Sequence, residues 1–128
     1  MIHKDLDVWK NSIELVVKIY KLTENFPKKE IYCITDQIRR SAISVPSNIS
    51  EGAARNSSQD FKRFLSISLG SLSELETQLI ISNRLDYLSK SEFDDVDKLI
   101  SLVRSQILNL IKSIKKKMSE ELKLKSDG

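Results

Sequence analysis

From Phe93 to Ile114 an apolar side chain recurs every three or four residues: Phe93, Val96, Ile100, Val103, Ile107, Leu110 and Ile114. That spacing draws an unbroken apolar stripe along one face of a helix six turns long. Such a helix cannot hide its stripe alone, so the rest of the chain must supply partner surfaces. The residues upstream do so with the same period. Leu6, Trp9, Ile13, Val16 and Tyr20 predict a first helix over about 7–24. After the break at Pro27, Ile31, Ile34, Ile38, Ala42, Val45, Ile49 and Ala53 predict a second over about 30–54. Ser57 reads as the N-cap of a third helix carrying Phe61, Leu65, Leu72, Leu75 and Leu79 to about Tyr87. Ser89 with Glu92 reads as a capping box for the fourth.

With three glycines and two prolines in 128 residues, the chain lacks the turn chemistry of a many-stranded fold. Short connections make sequential helices antiparallel. The expectation is therefore all-α: an up-down-up-down four-helix bundle over residues 1–118, with 119–128 as a polar, frayed tail. A single cysteine, no signal-like start and no long apolar run place it in the cytoplasm, away from membranes.

The stretch "SVPSNISEG" puts Pro46 inside the second helix, where it removes one hydrogen bond and predicts a kink. Asn48, just past it, is expected to reach backbone or polar groups of a packed helix. Gly52 is expected to let that helix come close. Glu51 and Arg55 flank the core stripe, with solvent or a polar helix contact as the alternatives. Glu76 shares a face with Leu69, Leu72, Leu79 and Ile80 and so requires a partner, with Arg39, Arg40, Asn48 or a neighbouring chain as candidates. The first helix has a second apolar stripe, Val8, Leu15, Ile19, Leu22 and Phe26. One small bundle has no room for both stripes, so this one is assigned to contact between copies, with a fatter core and some exposed leucines as the alternative.

Chemistry is sparse. His3 is the only histidine, and no zinc spacing, phosphate-cradling glycine loop or Ser-His-Asp set can be assembled. Cys33 is expected to be a small buried side chain. Neither an enzyme nor a cofactor is expected. Charge carries more information: net +3 with pI near 9.0 permits nucleic acid as a partner. The bundle topology gathers Lys4, Lys10, Arg55, Lys62, Arg63, Lys112, Lys115, Lys116 and Lys117 at one end. Glu74, Asp86, Glu92, Asp94, Asp95 and Asp97 lie toward the other. Complementing the helix dipole accounts for part of this in the fourth helix. Phosphate contact by the basic end is the functional alternative, with no aromatic platform visible for reading bases.

From "DLDVWKNSIELVVKIYKL" to "DYLS", and most specifically in "QIRRSAISVPSNISEG" and "SLSELETQL", the chain resembles the four-helix bundle family encoded by intervening sequences of bacterial large-subunit ribosomal RNA genes. The resemblance implies a homopentamer of antiparallel bundles and no catalytic residues. A similar bundle is the accessory variability protein of diversity-generating retroelements, a basic pentamer that binds nucleic acid and the reverse transcriptase. The functional expectation is thus a self-associating bundle that binds RNA or DNA. The alternative is a protein-interaction module without nucleic-acid affinity.

Overall fold

The structure, a computed structural model, describes residues 3 and 6–127. Four helices account for most of them: α1 (Asp7–Thr23), α2 (Ile34–Ala53), α3 (Ser58–Arg84) and α4 (Lys90–Asp127). Both sequence-level caps are present. Ser57 Oγ accepts from the Asp60 amide at 3.1 Å, starting α3. At the head of α4, Ser89 Oγ accepts from the Glu92 amide at 3.1 Å while Glu92 Oε1 accepts from the Ser89 amide at 2.9 Å. Each side chain thus satisfies a backbone donor that a helix start leaves free.

Contacts in register show how the helices run. Ser44 meets Ser71, Val45 meets Ser68 and Gly52 meets Phe61, so α2 and α3 are antiparallel. Asn11 with Gln106 and Lys18 with Asp95 do the same for α1 and α4. Neighbouring pairs are α1/α2, α2/α3, α3/α4 and α4/α1, and the diagonal pairs stay apart. The result is a four-helix bundle around Leu15, Ile38, Ile49, Leu72, Ile100 and Ile107, all fully buried.

The tightest of these seams joins α2 to α3, and small residues line it. Ser68 Oγ donates to the Val45 carbonyl at 2.9 Å across the seam, and the Ser44 and Ser71 hydroxyls lie 2.7 Å apart. α2 is a single helical element through Pro46. Donors around the proline go to carbonyls of residues 44 to 46: Asn48 Nδ2 to Ser44 at 2.8 Å, Ser68 to Val45, and Ser50 Oγ to Pro46 at 3.1 Å. Asn48 therefore bonds within its own helix, and Ser44, which it also contacts at 2.9 Å, carries the link to α3.

Three boundaries differ from the sequence expectation. Residues 28–30 form a 3-10 turn, and α2 begins four residues late, because Ile31 and Tyr32 project into solvent and helix there would bury nothing. Cys33, expected inside, is exposed at this junction. α3 stops at Arg84 in a left-handed cap: Asp86 has φ 62°, and Tyr87 N–H returns to the Ser82 carbonyl at 2.9 Å. Tyr87 then packs against Phe26, 5.6 Å between ring centres, and its hydroxyl donates to Glu30 at 3.1 Å, tying two turns together. At the far end, residues 119–127 are exposed but helical rather than frayed, as befits a run of Glu, Leu and Lys.

The two stripes of α1 are exchanged relative to expectation. Val8, Leu15, Ile19 and Phe26, assigned to an interface, are buried in the chain's own core, and Leu22 is half-buried beside them. Trp9, Ile13 and Val16 are only half-buried, and Tyr20 is exposed. Ser12 and Thr23 sit on the buried stripe and do not disqualify it. Ser12 Oγ donates to the Trp9 carbonyl at 2.7 Å and Thr23 Oγ1 to Ile19 at 2.8 Å, so neither hydroxyl is left unpaired. Arg39 Nε donates to the same Thr23 oxygen at 2.9 Å.

Candidate nucleic-acid interface

One end of the bundle is built from the α2–α3 turn, the first turns of α3 and the last turns of α4. Arg55 leaves α2 with Nη2 2.6 Å from Glu51 and its guanidinium 5.1 Å above the Phe64 ring. Arg63 covers the same ring at 4.7 Å and lies 3.9 Å from Asp60. Phe64 therefore holds two guanidinium groups in place beside the turn. Glu51 resolves as an exposed partner of Arg55, not as a contact to another helix.

The lysines are arranged differently. Lys112, Lys115, Lys116 and Lys117 are exposed and Lys62 is half-buried, and among the described residues none of the five is in an ion pair. Lys117 lines one cleft with Arg55, Phe61 and Ile114. By the helical period, Lys115 falls on the opposite flank of the Ile111–Ile114 stripe, and Lys112 and Lys116 point away from it. The register set by Glu76 and Arg104 puts Lys62 level with Met118. The seven cationic residues thus share one end but encircle it rather than forming one flat patch. Lys4 lies outside the described residues.

Glu76 finds its partner on α4. Its Oε1 accepts from Arg104 Nη2 at 3.0 Å, both side chains being about 30% exposed. The sequence candidates Arg39, Arg40 and Asn48 are occupied elsewhere, Arg39 over the Tyr20 ring at 4.6 Å and Arg40 with Asp36. Asp97 faces the same pair. Burial raises its pKa, as do a hydrogen bond and charge repulsion from Glu76 and the Asp94 charge, while Arg104 opposes them. Asp97 Oδ1 is a buried acceptor lacking a donor, which disfavours its ionised form in the same direction. A raised carboxyl pKa stabilises the fold only while the group is protonated. This contribution is complete below the ordinary 3.8 and is lost as pH rises through the folded value. Asp97→Asn should therefore raise the melting temperature at neutral pH and flatten its dependence on pH in the acidic range. An unchanged profile would show that Asp97 is ionised without cost.

Among the described residues no group of three or more His, Cys, Asp or Glu side chains could hold a metal, and no helix is long and apolar enough to cross a membrane. His3 packs edge-on against Trp9 at 5.3 Å.

The fold and this end together define a four-helix bundle with a cationic rim. The chain belongs to the family described as 23S rRNA-intervening sequence protein, which matches residues 4–113. It is similar to a solved protein of unknown function from the S23 ribosomal protein family of Bacteroides thetaiotaomicron. That likeness has 27% identity and a TM-score of 0.74, covering 82% of this chain and 98% of the other. No curated protein matches the chain.

Proposed function

We propose that this protein is a non-enzymatic, self-associating bundle that binds nucleic acid through its basic end. The observation that carries the reading is the set of five lysines there without ion-pair partners among the described residues. Lysines already paired with carboxylates would have to break those pairs to meet phosphate, and these do not. Arg55 and Arg63, stacked on Phe64, lie beside Glu51 and Asp60 and so contribute less, through the guanidinium donors those carboxylates leave free. Lys115→Glu with Lys116→Glu should weaken binding to RNA or DNA and reduce the slope of log affinity against log salt by about 1–2. Helicity should be unchanged, since both side chains are exposed. Equal affinity in variant and wild type would overturn the assignment.

A second reading, a protein-interaction module without nucleic-acid affinity, is favoured by the apolar outer groove between α1 and α2. Trp9, Ile13, Val16, Ile43 and Pro46 line it. Self-association through the same groove would also cover its apolar lining. No detectable binding to nucleic acid at low salt would favour this alternative.

A further inference from the structure

α4 outruns the bundle. It has 38 residues against 17, 20 and 27 in the other helices, and beyond Ile114 it continues for about 20 Å. Its inward face keeps an apolar strip there: Met118 is half-buried at the edge of the core, and Leu122 beyond it is 68% exposed. Between this strip and the α2–α3 turn lies a cleft of about 490 Å3. One wall offers the Asn56 and Gln59 amides and the Ser58 hydroxyl. The other is lined by α4: Lys117, Glu121 and Lys125 follow one another along one ridge at steps of four, with Met118 and Leu122 on the ridge beside it. The family match ends at residue 113, so the second wall lies outside the segment that defines the family.

We infer that this cleft receives an unpaired nucleotide, making the basic end selective for single-stranded nucleic acid over duplex. The inference rests on the reading that the basic end binds nucleic acid. A duplex keeps its bases stacked inside and offers a convex phosphate surface, which can meet the outer lysines but cannot enter a cleft of this size. A single strand can lay one base on the Met118 and Leu122 strip while its phosphates reach Lys117 and Lys125. The amides of Asn56 and Gln59 are then placed to pair with base edges. Glu121 disfavours phosphate directly above it and can accept from an exocyclic base amine. The chemistry required is that of a flat ring with flanking negative charge, which matches a nucleotide and not an acidic peptide.

The test uses the full chain, with labelled oligouridine and an RNA duplex of the same length at one fixed salt concentration. Wild type should bind the single strand about tenfold more tightly than the duplex. Leu122→Gln should lose about three- to tenfold of the single-strand affinity, and Leu122→Trp, offering a larger stacking surface, should gain affinity. Both should leave duplex binding within about twofold, since no phosphate contact changes. Residue 122 is exposed, so circular dichroism should show all three proteins equally helical. Wild type binding both probes alike, or single-strand affinity indifferent to residue 122, would overturn the cleft assignment and leave the basic-end reading standing. Wild type binding neither probe would overturn both.

Discussion

Gly52→Ala should destabilise the fold by about 2 kcal/mol, although alanine is the better helix former by about 1 kcal/mol. A methyl group at position 52 would lie 2.7 Å from the Phe64 Cβ, 3.0 Å from the Phe61 ring and 3.3 Å from the Phe61 carbonyl. The nearest of these atoms is bonded directly to the α3 backbone, so it cannot swing aside by changing rotamer. The helices themselves must separate. Separation would strain the Ser68 to Val45 and Ser44 to Ser71 contacts and shift Phe64, on which Arg55 and Arg63 rest. A packing fault at residue 52 should thus also disturb the basic end. Gly70 supplies the control: a methyl group there meets nothing within 4 Å, and Gly70→Ala should stabilise by about 0.5–1 kcal/mol. Urea titration of both variants measures the two shifts, and equal stability of Gly52→Ala and wild type would show that the seam yields freely.

Leu15→Glu should prevent folding of the chain altogether at ordinary temperature. Leu15 has no exposed surface, and an unpaired carboxylate in that position costs several kcal/mol, comparable to the whole stability of a domain this size. Had the Val8 to Phe26 stripe lain between copies, as the periodicity of α1 invites one to think, the same change would release folded monomers. Ile13→Glu with Ile43→Glu makes the complementary test. Ile13 is half-buried and Ile43 is 42% exposed on the outer α1/α2 groove, so the chain should remain helical while any assembly through that groove falls apart. Circular dichroism and light scattering distinguish the outcomes. A folded, dissociated Leu15→Glu protein would return the interface to the first stripe, and a monomeric wild type at micromolar concentration would end the self-association proposal.

What the sequence determined by itself was everything governed by neighbours in the chain. Four runs of period 3.6 establish four helices, because backbone hydrogen bonding and the placement of side chains around a helix are local. Ser57 and the Ser89–Glu92 pair marked two starts because a cap needs only residues three apart. Gly52 announced a close approach because glycine in a helix interior has little other use. The cationic end was legible in part, since topology alone brings the second turn and the end of α4 together. Tertiary structure decided the rest. The period places two apolar stripes on α1 but does not say which one turns inward. That choice follows from the shape of the space left by the other three helices, where Ser12 and Thr23 fit because their hydroxyls bond back to α1. Glu76 needed a cation, and which one reached it depended on the α3/α4 register, invisible in spacing along either helix. The cleft beside Leu122 exists because α4 is longer than the helices it packs against, and only their packing fixes the level at which it leaves them behind.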